Sequence, residues 1–287
     1  LQFETDSPNI YVRYKLYSER LSMTHMPATG VSGVDLYAED GEGISRWVNG
    51  VGAEDQKVDK TLAQGLAPGS RRYTLYFPLY NGVDKMEIGV EKGNFFNPLH
   101  PRKEKPILFY GTSIMHGACA SRPGISFPAI LGRRLGRPII NLGFDGNGIM
   151  EPEVASLLAE LDPCVFVIDC LPNMNEKSVS ERTIPLVKKL RETNNKTPIL
   201  LVEDRSFTNT SFFPSIKLHH QKSRRALKKA FAELVYSGEV NLYYLDGENL
   251  LGRDGEGATD GSHPSDLGMI RYADAYEPAL RSILNQF

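Results

Sequence analysis

Cysteine is scarce in this sequence, with three among 287 residues. Cys164 and Cys170 lie at the two ends of one predicted strand, which puts them roughly 20 Å apart if that strand is extended. A disulfide cannot span this distance. Neither Cys-x-x-Cys nor His-Glu-x-x-His occurs, which argues against the common zinc sites. We therefore expect no metal and no cofactor.

Excess charge and long hydrophobic runs are also missing. The 33 basic and 35 acidic residues leave a net charge of −2, which gives no electrostatic reason to expect a nucleic-acid partner. No apolar segment is long enough to span a bilayer, so membrane insertion is not expected. The sequence starts at Leu1 rather than at Met, which favours a processed, secreted or periplasmic protein and leaves the compartment open.

The first hundred residues favour β-structure. Residues 10–16 alternate between apolar and polar side chains, as a half-buried strand does. Three further strand candidates, separated by turn residues, are residues 33–37, 72–77 and 85–90. Short strands at this spacing predict a β-sandwich or jelly-roll-like domain over residues 1–98. Residues 99–105, which are rich in charge and contain a proline, are the expected linker.

Residues 106–287 alternate between apolar strands and helical stretches. The strand candidates are residues 106–110, 138–142, 165–169, 198–203 and 241–245. The helix candidates are residues 126–135, 151–161, 183–192, 216–237 and the stretch after Ser265. This alternation predicts an α/β domain over residues 106–287 with a parallel, doubly wound sheet of five strands. Such sheets bind their ligands at the carboxyl ends of the strands.

Polar residues stand at that edge where packing does not require them. Ser113 follows the first strand after a glycine, and Asp260 and His263 precede the last helix. A serine hydroxyl is a strong nucleophile only when an imidazole takes its proton and a carboxylate orients that imidazole. Ser113, His263 and Asp260 can fill these three roles, which predicts nucleophilic acyl transfer.

Acyl transfer also needs hydrogen-bond donors for the oxyanion of the tetrahedral intermediate. The backbone N–H groups of Ser113 and Gly146 and the side-chain amide of Asn173 can supply them. Gly146 also fits a turn that needs positive φ, which is compatible with the donor role, and Asn173 also fits a turn cap. The spacing Gly143-x-x-Gly146-x-Gly148 differs from the dinucleotide-binding pattern Gly-x-Gly-x-x-Gly, so a nucleotide site is not expected.

As an ordered set, these residues resemble the SGNH hydrolases, the GDSL-type lipase/esterase superfamily, over about residues 106–287. Ser113 lies in Gly-Thr-Ser-Ile, which stands in place of Gly-Asp-Ser-Leu, and Gly146 ends Asn-x₄-Gly. Asn173 lies in Leu-Pro-Asn-Met, where the family has Gly-x-Asn-Asp, and Asp260-x-x-His263-Pro matches the last block. The resemblance implies a flavodoxin-like three-layer fold, no metal, and esterase or deacetylase activity.

The front domain carries a second resemblance. Residues 33–37 read Gly-x-Asp-Leu-Tyr, which is similar to the signature of a β-domain that precedes some bacterial SGNH hydrolases. We expect this β-domain to help shape the substrate cleft. Trp47, the single tryptophan, fits either ordinary packing or stacking on a sugar ring.

Five further residues are candidates for substrate binding because they follow strands at the ligand-binding edge: His116, Asn147, Met174, Glu203 and Arg205. His116 also fits an ordinary helix position, and the charged pair also fits a salt-bridged loop. The other histidines stand in proline-flanked turns or on a charged helix, where we expect them to be solvated; they are His25, His100, His219 and His220.

The favoured function is a serine esterase that acts on a carbohydrate O-acyl ester, for example a deacetylase. The alternative among enzymes is a lipid acylhydrolase or thioesterase, and the alternative of another class is a catalytically silent carbohydrate-binding protein. The complete set of Ser, Gly, Asn, Asp and His argues against silence, and the lack of a long apolar insertion argues against long-chain lipids. The expected ligand is a small-molecule or saccharide ester, and the oligomeric state stays open.

Overall fold

The computed structural model describes residues 1–286, which form parts of two compact units. The first unit contains Leu1–Lys103 together with the short segment Cys119–Ile125. The second unit contains Glu104–Ala118 and the chain from Ser126 onward. Within the described part of the chain, no helix is both long enough and apolar enough to cross a membrane.

The first unit is a sandwich of two antiparallel sheets. Its strands are β1 (Gln2–Thr5), β2 (Ile10–Leu16), β3 (Val34–Glu39), β4 (Ser45–Val51), β5 (Lys57–Ala63), β6 (Arg71–Tyr76), β7 (Val83–Val90) and β8 (Phe96–Pro98), with helix α1 (Ala28–Val31) before β3. The larger sheet has the order β4-β3-β6-β1-β8 and the smaller one β5-β2-β7. Buried residues alternate strictly with exposed ones along β2, and both sheets contribute to one apolar core. The predicted all-β front domain is confirmed.

The Gly-x-Asp-Leu-Tyr motif at residues 33–37 ties the segment Cys119–Ile125 to this sandwich. Asp35 is fully buried, and its carboxylate accepts hydrogen bonds from Arg122 Nη1 at 2.6 Å and from Trp47 Nε1 at 2.6 Å. A buried carboxylate needs partners of this kind because it has lost its hydration. The Arg122 guanidinium also lies over the Trp47 ring, 5.1 Å from its centroid. The indole is therefore held by one hydrogen bond and one cation–π contact.

The second unit is built on a five-stranded parallel sheet. Its strands are β9 (Ile107–Gly111), β10 (Ile139–Gly143), β11 (Val165–Asp169), β12 (Ile199–Val202) and β13 (Leu242–Leu245). Its helices are α2 (Ser113–His116), α3 (Phe127–Leu135), α4 (Pro152–Ala159), α5 (Glu176–Arg191), α6 (Pro214–Tyr236) and α7 (Asp266–Leu284). The strand order β10-β9-β11-β12-β13 is the flavodoxin-like order. The predicted doubly wound α/β fold is thus confirmed.

Helices cover both faces of this sheet. Leu108 and Tyr110 of β9 pack into the cluster that includes α4, α5 and α6, whereas Phe109 meets Phe127 of α3. Successive residues of a strand point to opposite faces, so these two sets of helices lie on opposite sides. The order of the strands reverses between β9 and β11, and their carboxyl ends form the crevice in which such folds bind ligands.

The helix predicted over residues 183–192 begins seven residues earlier, at Glu176. Asn175 caps it, with its side chain accepting from Ser178 N at 3.0 Å, and the Ser178 hydroxyl in turn accepts from Asn175 N. Pro185 lies inside this helix. Proline usually marks the first turn of a helix, which is why the sequence placed the start too late.

Candidate active site

Ser113 stands at the point where β9 turns into a short helix. Gly111 ends the strand, and a Cβ there would lie 2.6 Å from the Asp169 carbonyl oxygen of the neighbouring strand, so only glycine fits. Thr112 caps α2 with its side chain, and Gly117 closes the helix with φ of 110°. These local devices hold Ser113 as the first residue of α2, 9% exposed.

Ser113, His263 and Asp260 form one chain of hydrogen bonds. Ser113 Oγ lies 2.9 Å from His263 Nε2, and His263 Nδ1 lies 2.7 Å from Asp260 Oδ2. The three side chains that sequence analysis selected are therefore brought together in the order that proton transfer from a serine requires.

The loop that carries His263 is held from two sides. Asp260 Oδ1 accepts the backbone N–H groups of Ser262 at 2.9 Å and His263 at 2.7 Å. Burial acts to raise the pKa of Asp260, but these bonds and the one from the imidazole outweigh burial and lower it. On the other side, Arg205 donates from Nε to the Ser262 carbonyl at 3.3 Å and from Nη2 to its hydroxyl.

Asn173 and Ser113 converge on a single oxygen of the main chain. Asn173 lies in the 3₁₀ turn Leu171–Asn173 after β11, and its Nδ2 donates to the Asp145 carbonyl at 2.8 Å. Ser113 N donates to the same oxygen at 2.9 Å. Gly146 is exposed, and nothing within residues 1–286 accepts a hydrogen bond from its N–H. Two of the three expected donors thus meet at one point, and the third does not join them.

Of the five substrate-binding candidates, two are at least partly exposed to solvent and three are buried. Asn147 is exposed, and its carbonyl accepts a bond from Asn173, while His116 is half-buried at the end of α2. Met174 is buried in the core cluster of the second unit. Glu203 and Arg205 are buried as well.

The charged residues after β12 have structural partners. Glu203 is 6% exposed, and its two carboxylate oxygens accept from the Tyr244 hydroxyl at 2.6 Å and from Gly247 N at 3.0 Å. Arg205 is 3% exposed and pairs with Asp204 in addition to Ser262. Sequence analysis left a substrate contact and a salt-bridged loop both open for this pair; in the structure each charge has protein partners that replace water.

His220 was expected to be solvated, and this is wrong. It is 3% exposed, and its Nδ1 lies 2.5 Å from Asp204 Oδ2. Its ring also packs against Phe207, with 4.8 Å between the centroids. Its place on a highly charged helix concealed the fact that one face of that helix is buried.

Family comparisons cover almost the whole sequence. Residues 104–281 match the GDSL-like lipase/acylhydrolase family, and residues 1–96 match the domain described as the N-terminus of SGNH-hydrolase-type esterases. Among the curated proteins, none matches this sequence.

Solved structures share the fold of both parts of the chain. A candidate GDSL-like lipase from Bacteroides ovatus ATCC 8483 is 32% identical, with 99% of this chain and 84% of that chain covered and a TM-score of 0.94. The salicylyl-acyltransferase SsfX3 from a tetracycline biosynthetic pathway is 19% identical, with 98% and 81% covered and a TM-score of 0.78. A family two carbohydrate esterase from Clostridium thermocellum, solved with cellohexaose, is 14% identical, with 100% and 92% covered and a TM-score of 0.68.

Proposed function

Because this chain belongs to the GDSL-like lipase/acylhydrolase family and is a carboxylic ester hydrolase, we propose that it removes short acyl groups from carbohydrates through Ser113, His263 and Asp260. The observation that carries the proposal is the hydrogen-bonded chain from Ser113 Oγ to His263 (2.9 Å) and from His263 to Asp260 (2.7 Å). These two distances, and the order serine–imidazole–carboxylate, suit a serine activated by an oriented imidazole.

The reaction proceeds through an acyl-enzyme. Ser113 Oγ attacks the ester carbonyl carbon while His263 Nε2 takes its proton, and Asp260 stabilises the imidazolium. The tetrahedral intermediate collapses as the C–O bond to the sugar breaks, and His263 returns the proton to the leaving oxygen. Water then attacks the acyl-enzyme, giving its proton to His263, and the second collapse releases the carboxylic acid and restores the Ser113 hydroxyl.

The surroundings of Ser113 support a small acyl group. Met115, Leu171 and Met174, three apolar residues that follow β9 and β11, are buried in the interior. The exposed side chains of the adjoining loops include the amides of Asn147 and Asn173. A long acyl chain needs an apolar groove, whereas an acetyl group on a hydroxylated alcohol suits a polar surface.

A carbohydrate alcohol is supported by the fold that both parts of the chain share with the family two carbohydrate esterase. The salicylyl-acyltransferase shares this fold as well. The size of the acyl group and the identity of the alcohol can be measured separately.

The first experiment is a series of 4-nitrophenyl esters from acetyl to octanoyl. Each methylene buried in an apolar groove contributes about 0.8 kcal/mol, or about four-fold in kcat/KM, so a lipid enzyme improves steeply along the series. We expect kcat/KM to be highest for acetyl and to fall by octanoyl. A rate that rises through octanoyl would assign the chain to the lipid acylhydrolases instead.

The second experiment measures acetate released from acetylated cello- or xylo-oligosaccharides. We expect release by the wild-type chain and none by Ser113→Ala. Rapid turnover of 4-nitrophenyl acetate without release from any acetylated saccharide would contradict the carbohydrate assignment while leaving the esterase mechanism intact.

A further inference from the structure

The Asp145 carbonyl oxygen occupies the point on which the proposed oxyanion donors converge. Ser113 N–H donates to it at 2.9 Å and Asn173 Nδ2 at 2.8 Å. These are the distances at which an oxyanion hole holds the developing charge of its substrate. The main chain thus places one of its own oxygens in the hole, and a substrate oxygen cannot enter while it stays there.

This carbonyl belongs to the central peptide of a tight turn. Asn147 N donates to the Phe144 carbonyl at 2.8 Å, which closes a turn over residues 144–147. Asp145, the first central residue, has φ of 48°, whereas Gly146, the second, does not have positive φ. Positive φ at the first central residue alone is the type II′ pattern. A type I′ turn has positive φ at both, and the two types are related by rotating the central peptide through about 180°.

The residue pair Asp145-Gly146 favours a type I′ turn over the observed type II′ pattern. Asp-Gly is among the preferred pairs for type I′, whereas type II′ prefers glycine at its first central position. A Cβ on Gly146 would meet nothing within 4 Å, so the space beside the Gly146 Cα is open. The hydrogen bonds from Ser113 and Asn173 hold the observed orientation against this local preference.

We propose that the Asp145–Gly146 peptide is a gate to the oxyanion hole, and that it rotates from type II′ to type I′ when an ester binds. The proposal rests on the function proposed above. The C=O and N–H of a trans peptide point in opposite directions. Rotation therefore withdraws the Asp145 oxygen and turns the Gly146 N–H toward the vacated point. One movement removes the occupant and adds the third donor, while the bond between Asn147 and Phe144 is kept.

The gate predicts an unusual separation of activity from stability. Gly146→Ala fits the observed turn, where φ is not positive, but it penalises the rotated turn, where φ must be positive. A left-handed alanine is less populated by about five- to thirty-fold, and only the rotated fraction is competent. We expect kcat/KM for 4-nitrophenyl acetate to fall by that factor with the Tm unchanged, although the backbone N–H is still present.

Gly136→Ala is the matched control, because Gly136 lies away from the site, has φ of 60° and also has open space around it. At Gly136 the folded protein itself requires the left-handed conformation, and no step of the proposed reaction does. We expect Gly136→Ala to lower the Tm and leave kcat/KM unchanged. If Gly146→Ala retained full activity, or lost activity only in proportion to a lower Tm, the gate would be refuted.

Crystal structures of the full chain, free and after reaction with diethyl 4-nitrophenyl phosphate, test the gate directly. In this reaction Ser113 Oγ bonds to phosphorus and 4-nitrophenolate leaves. We expect the Asp145 oxygen in the hole of the free enzyme, and in the adduct the Gly146 N–H on the phosphoryl oxygen with positive φ at Gly146. The same peptide orientation in both structures overturns the gate. Failure of Ser113 to be phosphorylated would instead refute the proposed nucleophile, and with it the basis of the gate.

Discussion

Asp260→Asn exchanges one carboxylate oxygen for an amide that donates. Asp260 Oδ1 accepts two backbone N–H groups of its own loop, from Ser262 and His263, while Oδ2 faces His263 Nδ1 at 2.7 Å. The amide oxygen of the variant can keep the two backbone bonds only if the NH₂ group takes the place of Oδ2. There it meets His263 Nδ1, and two donors face each other unless the imidazole moves its proton to Nε2.

The shift of the His263 proton from Nδ1 to Nε2 should reduce kcat. With hydrogen on Nε2, His263 can no longer accept the proton of Ser113. The corresponding change in a serine protease lowers kcat by about 10⁴-fold. The Asp260 side chain is 42% exposed, so water can share in orienting the imidazole, and we expect a loss of about 10²- to 10³-fold here. The backbone bonds are kept, so the Tm should hardly change.

The assay is kcat for 4-nitrophenyl acetate, with Asp246→Asn as the matched control. Asp246 is an exposed carboxylate of the same unit, 3.8 Å from Lys228, and the same substitution there should leave kcat unchanged. If Asp260→Asn turned over at the wild-type rate with the Tm unchanged, Asp260 would not orient His263, and a different group would have to do so.

Three further changes follow from the structure. Burial, together with the nearby Asp204, raises the pKa of Asp169 to about 7, although the Tyr276 hydroxyl acts to lower it. The free energy of unfolding therefore includes a contribution from protonated Asp169 that is full below about pH 4 and is lost as the pH rises through 7, up to about 4 kcal/mol. Asp169→Asn should remove this part of the pH dependence in urea unfolding. Arg205→Lys supplies a point charge instead of a fork to Ser262, so kcat should fall about ten-fold with KM unchanged in steady-state kinetics. Gly111→Ala should lower the Tm sharply in thermal unfolding, because its Cβ would lie 2.6 Å from a backbone oxygen.

Much of the fold follows from residue patterns. The five parallel strands are short apolar runs whose ends are marked by proline, glycine or asparagine, and β11 occupies the predicted residues 165–169 without change. In the front unit, β2 shows strict alternation and was predicted at its observed bounds, whereas β1, β4, β5 and β8 were not predicted. Of these four, β8 is three residues long, exposed throughout and without an apolar pattern. Patterning detects a strand only where one of its faces is buried.

The site was predictable where chemistry requires particular side chains. The proposed mechanism needs the functional groups of Ser113, Asp260 and His263, so their types and order carry the signal. The Asp145 oxygen was not predictable, because every residue has a carbonyl and its direction depends on two backbone angles. The Asp-Gly pair marks the turn but does not say which of the two turn types the structure adopts.

Charge alone left two interpretations of Arg205 open. A charged residue at the carboxyl end of a strand is compatible with a ligand contact and equally with an internal ion pair. The choice depends on which residues distant in sequence come near, here Ser262, which is 57 positions away. A single sequence carries no record of that contact, and only the folded chain shows it.

The most direct test of the whole account is the hydrolysis of 4-nitrophenyl acetate by Ser113→Ala, with the Tm measured on the same sample. The account predicts a loss of at least about 10³-fold in kcat with the fold intact, since the proposed acyl-enzyme forms on the Ser113 hydroxyl. Turnover near the wild-type rate by the folded variant would contradict it.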